Sequence, residues 1–275
     1  MPDPEPRAAL EAIGRLPDAE IDLAGAALQL ARIDAPEADW QAAEAALSDL
    51  ARAATAALPA RAAPGARVLA LARLLAGDWG FGGDLADFDN PANANLIAVL
   101  ERRRGLPVAL GILWLHAARA AGWRGHGVDF PSHFLIALED PAGPLVLDPF
   151  DGGARLDAAA LGEMLTRVAG PGAVLRAQHL RPAGNRAILL RLTNNLRTRR
   201  LAAGDLEGAL AAAGDMLRIA PEVAPLWAET GALHARVEQV AAALHCYRKA
   251  LALTPAGPAA EGLRAEIARL SGRLQ

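Results

Sequence analysis

The chain has 275 residues, and its 28 basic and 31 acidic side chains give a formal net charge of −3 at pH 7. A balance this close to neutral provides no positive field that would draw the protein to nucleic acid or to an anionic membrane, so we expect neither as a partner. Hydrophobic residues make up 53% of the chain and charged residues 21%, which excludes wholesale disorder and suffices for a sizeable core.

The cellular setting is predicted from three sequence features. Cys246 is the single cysteine, so no internal disulfide can form, which suits a reducing compartment. The first residues are rich in acidic side chains and lack the basic and apolar regions of a secretory signal. The longest apolar run, residues 106–121, contains His116 and Arg119 and is shorter than the ~20 residues of a membrane span. These features predict a cytoplasmic protein.

Residues 1–87 form the first predicted segment, which is helical. Between Asp18 and Ala76 the apolar residues recur with the spacing of amphipathic helices, and Pro36 separates the first helix from the next. The last helical run ends in the glycine-bearing stretch GDWGFGGD. We expect this segment to pack on the domain that follows it.

Residues 88–180 have a mixed α and β character. The stretch Leu96–Arg103 predicts a short helix. Gly105, Leu106 and Pro107 predict the start of a buried helix that ends at Gly122, because proline suits the first helical position. The runs GHGVDF, HFLIALED and PLVLDPFDGG are short, β-type and bounded by proline and glycine. This segment is therefore predicted to hold a small antiparallel sheet beside a buried helix.

Residues 187–275 contain a repeat. Pro221 and Pro255 lie 34 residues apart, and each follows a helical segment of similar pattern. This is the period of tetratricopeptide units, and Trp227 and Tyr247 fall at positions where such units pack their bulky side chains. Two units and a final helix are fewer than the roughly three repeats that stand alone, so we expect them to pack on the α+β domain. Such units bind peptides in a groove or serve as a structural appendage, and both interpretations stay open.

Strings in the middle of the chain resemble those of one bacterial family. ERRRGLP, FPSHFLI and LDPFDGG occur in this order, and they are specific in combination although each alone is weak. Together with the repeats, they resemble the SirB family (first type), in which a transglutaminase-like core precedes tetratricopeptide helices. The resemblance implies an α+β, predominantly helical protein. It implies N-terminal helices, a transglutaminase-like (papain-like) core with a small antiparallel sheet, and a C-terminal helical repeat segment.

The resemblance also implies a set of site residues. Transglutaminase-like cores place a cysteine at a helix start, a histidine on one strand and an aspartate on the next. The helix end and the imidazolium lower the thiol pKa, the histidine moves the proton and the aspartate fixes its tautomer. By resemblance His133 takes the histidine position, Asp148 the aspartate position and Pro107 the cysteine position. Proline supplies no nucleophile but preserves the helix start, so we expect a remnant triad that faces this helix.

Few other residues are candidates for chemistry. Arg103 and Arg104 belong to a basic run that could clasp a carboxylate or phosphate, or could form a solvated helix end. Asn93 matches an asparagine of the family pattern and is a candidate for ligand binding, for a helix cap or for a turn. Cys246 lies on a predicted packing face, where cysteine usually behaves as a small hydrophobe. The histidines lack the spacing of metal ligands, so we expect neither a metal nor a cofactor.

Two classes of function stay open. The first is a non-catalytic regulatory or scaffolding protein, a pseudoenzyme with a transglutaminase-like fold whose repeats bind a protein or peptide partner. The second is a hydrolase or acyl-transfer enzyme that uses the His133–Asp148 pair, with water in place of a side-chain nucleophile. The fold alone does not separate them, because function depends on the site.

Overall fold

The computed structural model describes residues 5–57 and 63–272, and most of them are helical. The helices up to residue 120 are α1 (Glu5–Arg15), α2 (Leu23–Asp34), α3 (Trp40–Ala57), α4 (Pro64–Ala72), α5 (Leu96–Arg102) and α6 (Pro107–Ala120). The later ones are α7 (Ala158–Ala169), α8 (Asn185–Ala202), α9 (Leu206–Ile219), α10 (Ala224–Arg236), α11 (Val240–Leu253) and α12 (Pro258–Ser271). Within the described ranges, no helix is both long and apolar enough to cross a lipid bilayer.

The strands are short and form two sheets in the described part of the chain. Strands β1 (Gly82–Gly83) and β2 (Arg104–Gly105) pair in parallel. The larger, antiparallel sheet contains β3 (Gly125–Val128), β4 (Leu135–Leu138), β5 (Leu145–Asp148), β6 (Ala154–Leu156) and β7 (Pro182–Ala183), in the order β6-β5-β4-β3-β7. Its register pairs Val128 with Leu135 and Ile136 with Leu147. The predicted class, a mostly helical α+β fold with a small antiparallel sheet, is confirmed.

Helix α6 lies in the core and begins and ends at the predicted signals. Pro107 is its first residue, and Gly122, with φ of +75°, follows its end. Every residue from Pro107 to Leu115 is buried. A helix that is apolar all round has to be covered on all sides. Helices α2, α3 and α5 contact it, as do strands β3 and β4.

The contacts divide the described chain into two units. The first, called the core unit here, holds residues 5–6 and 17–192, and the second, called the helical unit, holds residues 7–16 and 193–272. The predicted N-terminal segment 1–87 is therefore split. Leu10 of α1 is fully buried and Gly14 of α1 lies against the backbone of Arg218, so these residues group with the C-terminal helices.

The helices of the helical unit follow a regular spacing. Helices α9 and α11 begin 34 residues apart, as do α10 and α12, and each of the four contacts the next. Pro221 and Pro255 come directly after the residues that cap α9 and α11, a place where proline prevents further helix. Tyr247 is buried as predicted, whereas Trp227 is only half-buried and its indole N–H donates to the carbonyl oxygen of Pro221 at 2.7 Å. Trp227 is thus less of a core residue than the repeat pattern predicted.

Two adjacent glycines allow a test of the packing around α6. Gly152 and Gly153 have φ of +58° and +81°, so alanine at either position costs roughly 1–2 kcal/mol of backbone strain. A Cβ at Gly153 would also overlap the ring of Trp114 on α6, whereas a Cβ at Gly152 would lie 3.6 Å from Ala76. We expect Gly153→Ala to lower the free energy of unfolding, measured in urea, by ~1–3 kcal/mol more than Gly152→Ala does, because of this overlap. Equal losses would contradict the Trp114 contact.

Candidate functional site

His133 and Asp148 lie side by side at one end of the antiparallel sheet. Asp148 is the last residue of β5, and His133 lies in the turn that leads into the neighbouring strand β4. Nε2 of His133 lies 2.9 Å from Oδ2 of Asp148 and 3.0 Å from its Oδ1. The side chain of Asp148 is 8% exposed and that of His133 is 20% exposed. The expected close contact between these two side chains is present.

The surroundings of Asp148 determine which nitrogen of His133 is available. Oδ1 of Asp148 also accepts a hydrogen bond from the backbone N–H of Phe150 at 2.9 Å. An ionised carboxylate only accepts hydrogen bonds, so it favours the His133 tautomer with its proton on Nε2. Neutral His133 then has its lone pair on Nδ1, for which no partner is found among the described residues. Nδ1 is therefore the atom of this pair that could accept a proton.

Arg191 on α8 fixes the turn that carries His133. Its guanidinium donates to the carbonyl oxygen of His133 at 2.8 Å and pairs with the carboxylate of Asp129. The same group lies 5.7 Å from the ring centroid of Phe134, and burial lowers the pKa of Arg191. Ser132, next to His133, has φ of +56°, an uncommon conformation for a residue with a Cβ. Arg191 thus ties a tightly bent turn to a helix.

A series of contacts connects His133 to the segment that leads into α6. The ring of Phe150 meets the His133 ring edge to face, with centroids 6.2 Å apart. The carbonyl oxygen of Phe150 accepts from the N–H of Gly83 at 3.1 Å, and a Cβ at Gly83 would lie 2.5 Å from three carbons of the Phe150 ring. Strand β1, which contains Gly83, pairs with β2, and β2 ends two residues before Pro107. Gly83 of GFGGD is therefore needed for close packing against Phe150, beside the His133–Asp148 pair.

Asn93, a candidate for ligand binding, is buried and used within the fold. Its side chain donates to the carbonyl oxygen of Asp87 at 2.7 Å and accepts from Arg102 at 2.9 Å. Arg102 also pairs with Asp84 at 2.9 Å. Because Asn93 has no exposed surface, it supports the turn before α5 instead of meeting a ligand. The helix cap is Asn95, whose side chain accepts from the first N–H groups of α5.

Arg103 and Arg104, the other binding candidates, both contact the loop around Gly80. Arg103 has φ of +60° at the end of α5, and its guanidinium lies 5.0 Å from the ring centroid of Trp79 and 4.9 Å from that of Phe81. Burial lowers the pKa of Arg103. Arg104 donates to the carbonyl oxygen of Gly80 at 2.8 Å. The two arginines hold this loop against the end of α5.

Across residues 5–57 and 63–272, no three histidine, cysteine, aspartate or glutamate side chains are grouped so that they could hold an ion.

The sequence pattern of the transglutaminase-like superfamily matches residues 41–194, which include α6, His133 and Asp148. A UPF0162 protein of Vibrio cholerae serotype O1 is 30% identical over 252 residues, which make up 91% of this chain and 93% of that protein. The chain belongs to the UPF0162 family, within the transglutaminase-like superfamily. The His133–Asp148 pair lies within the residues that match the transglutaminase-like superfamily.

Other relatives agree with this assignment. A UPF0162 protein of Xylella fastidiosa (strain Temecula1) is 31% identical over 208 residues, 74% of each chain. Another, of Pseudomonas aeruginosa, is 36% identical over 176 residues, 64% of this chain and 63% of that protein. Among solved structures, a crystal structure of menin gives a TM-score of 0.43 at 11% identity over 91% of this chain and 70% of that chain. A likeness this weak does not show a shared fold.

Three residues that support the site carry no signal in the sequence. Arg191 lies 58 residues from His133 in sequence, and nothing near it marks it as the partner of that turn. Phe150 is contained in LDPFDGG, but its contact with His133 depends on the pairing of β4 with β5. Asp84 follows the glycines of GFGGD, and only the folded chain brings it to Arg102. Such contacts between distant parts of the chain require the tertiary structure.

Asp84 gives a pH-dependent test of this network. Hydrogen bonds, first from the backbone N–H of Asp87 and then from Asn93 and Arg102, hold the pKa of Asp84 below its ordinary value. Such a carboxyl stabilises the fold above its unfolded-state pKa of ~3.9, and this contribution disappears as the pH falls through the lower folded-state pKa. We expect Asp84→Asn to lower the urea midpoint at neutral pH, and to lose less stability than the wild type on acidification below about pH 4.

The matched control for this prediction is Asp151→Asn, which changes an exposed carboxyl outside the network. Its urea midpoint should follow that of the wild type across the same pH range. If the urea midpoints of the wild type and Asp84→Asn change in parallel with pH, Asp84 makes no pH-dependent contribution to stability.

Proposed function

We propose that this protein is a non-catalytic regulatory or scaffolding protein, whose transglutaminase-like fold lacks its nucleophile and whose helices α9–α12 bind a protein partner in the cytoplasm. One observation carries the proposal. Pro107, which has neither thiol nor hydroxyl, is the first residue of α6, where the resemblance to transglutaminase-like cores puts the nucleophilic cysteine. Proline keeps the helix start, since its fixed φ suits the first turn and its missing N–H has no helical partner there.

Cys246 does not replace the missing thiol. It is the only cysteine, it lies on α11 in the helical unit, and it is 5% exposed. Burial raises the pKa of its thiol. A reactive cysteine needs access to solvent and a lowered pKa, because the thiolate is the nucleophile. Cys246 therefore acts as a packing residue.

The partner-binding part of the proposal rests on α9–α12. Their helix starts repeat every 34 residues, the period of tetratricopeptide units. Stacked helix pairs of this kind present extended concave surfaces to peptides and helices. A protein partner is therefore the ligand class that this unit suits.

A second candidate function is hydrolysis or acyl transfer by the His133–Asp148 pair. The observation that favours it is the hydrogen-bonded pair itself, with Nδ1 of His133 available to take a proton from water. Turnover of peptide, amide or ester substrates separates the two functions. Turnover that His133→Asn reduces by about 10²-fold or more would establish the hydrolase and overturn the pseudoenzyme.

Restoring the thiol tests whether position 107 is the nucleophile position. In a Cys246→Ala background, Pro107→Cys places a thiol at the start of α6, where the resemblance to transglutaminase-like cores puts it beside the His133 imidazole. Both features lower a thiol pKa below its ordinary ~8.5. Because position 107 is buried, the thiol is followed by the ultraviolet absorbance of its thiolate, which requires no access for a reagent. We expect the thiolate to form at a pH about one unit or more lower than in the same variant with His133→Phe, because a nearby imidazolium favours the thiolate. Equal titration curves would show that His133 does not act on this position.

Photo-cross-linking in cells tests the partner role. A photoreactive amino acid in place of exposed His245 on α11 should capture a defined protein, because it lies on the helical unit. The same amino acid in place of exposed Glu163 on α7 of the core unit is the control and should not capture that protein. Capture from both positions, or from neither, would contradict a partner bound by α9–α12.

A further inference from the structure

Residues 7–16, which include most of helix α1, are packed into the helical unit, although they stand at the opposite end of the sequence. Arg7, Glu11 and Gly14 of α1 contact residues of α9, and Leu10 of α1 is fully buried. They follow the spacing i, i+3, i+4 and i+7, which places them on one face of a helix. A single face of α1 thus meets the C-terminal helices.

Shape complementarity is closest at Leu10 and Gly14. Leu10 has no exposed surface. Gly14 lies so close to the last turn of α9 that a Cβ there would overlap the carbonyl oxygen of Arg218. Only a glycine fits at that point, so α1 and the end of α9 approach each other backbone to backbone.

Charge complementarity adds to this fit. Asp215 on α9 is 4% exposed, and burial raises its pKa. It pairs with Arg218 at 3.2 Å and with Arg7 of α1 at 3.5 Å. Arg218 in turn pairs with Glu11 of α1 at 3.6 Å. A buried carboxylate needs such partners, so α1 supplies a cation that the surface of α9 requires.

The fit of α1 is nevertheless incomplete. A groove of about 490 Å³ that is open to solvent remains beside α1, lined by Glu11 and Gly14 of α1 and by Leu210, Trp227 and Cys246 of the helices that face it. Apolar side chains in an open groove stay in contact with water, and covering them is favourable. A helix of about ten residues also has little stability of its own in water. A helix that makes the same contacts and also covers this groove would bury more apolar surface than α1 does.

We propose that the surface of α9–α11 beneath α1 is a binding site for an amphipathic helix of a partner protein, and that residues 7–16 occupy it until that helix displaces them. The proposal rests on the protein-binding role given above and identifies its surface. The partner helix carries an arginine, an apolar residue, a glutamate and a glycine at positions i, i+3, i+4 and i+7. Its arginine meets Asp215, its glutamate meets Arg218, and its glycine lies over the end of α9.

The test measures exchange of α1 with a peptide that has its sequence. A fluorescent peptide of residues 5–16 is titrated against the full-length wild type, Gly14→Leu and Gly162→Leu. Leucine at position 14 overlaps the backbone of Arg218 and should displace α1, which is called the resident helix here. A Cβ at Gly162 on α7 meets nothing within 4 Å, so Gly162→Leu is the control. We expect the peptide to bind Gly14→Leu about tenfold or more tightly than the wild type and Gly162→Leu, because the resident helix no longer competes. An Arg7→Glu peptide should bind about tenfold or more weakly, because it brings a negative charge to Asp215.

Hydrogen exchange shows whether Gly14→Leu disturbs the rest of the helical unit. In this variant, the backbone amides of residues 7–16 should lose protection from exchange, and those of α10–α12 should retain it. If α10–α12 lose protection as well, Arg7→Ala is used instead, because it removes the contact with Asp215 and adds no bulk. This variant should bind the peptide more tightly than the wild type does. Failure of the peptide to bind an intact helical unit that lacks its resident helix would overturn the proposal.

Two further results bear on the occupant of this surface and on partner binding. Wild-type dimers that form with rising concentration and are absent from Gly14→Leu would make a second copy the occupant and would overturn the proposal. The cross-link at position 245 tests partner binding as such. Peptide exchange without any cross-linked protein would therefore contradict the proposed function, whereas a cross-link that persists without peptide exchange would contradict only this surface.

Discussion

The core unit depends on the burial of helix α6. This helix is apolar on all sides, so it is stable only when other elements cover it completely. Strand β4, whose four residues are all buried, supplies part of that cover, and α2 and α3 supply more. Because β4 also carries the turn with His133 and pairs with β5, core packing sets the position of the His133–Asp148 pair relative to α6. The geometry of the site therefore follows from the core more than from contacts within the site.

The parts of this fold that the sequence predicts are those with local signals. Pro107 and Gly122 mark the start and end of α6 because each favours a backbone conformation found at helix ends. Pro221 and Pro255 mark helix ends in the same way, so the 34-residue spacing is readable without a structure. The pairing of His133 with Asp148 was expected from the family resemblance and would not have followed from spacing alone.

The parts that the sequence does not predict are contacts between distant segments. The helical periodicity was identified only from Asp18 onward, so neither α1 nor its place beside α9 was expected. The support that Arg191 gives to the His133 turn is of the same kind. The family pattern marked Asn93 as a candidate for binding or capping, but Asn95 is the cap, because only its side chain faces the first N–H groups of α5.

The retained His133–Asp148 pair has a physical explanation that requires no catalysis. Asp148 is buried, and a buried carboxylate is costly unless donors surround it. His133 Nε2 and the N–H of Phe150 are those donors, so removal of the imidazole would leave the carboxylate with one of the two. The pair thus stabilises the fold whether or not the protein has a nucleophile. The presence of the His133–Asp148 pair is therefore weak evidence for an enzyme. The residue at position 107 is stronger evidence on this question, because proline preserves the helix start and supplies no thiol.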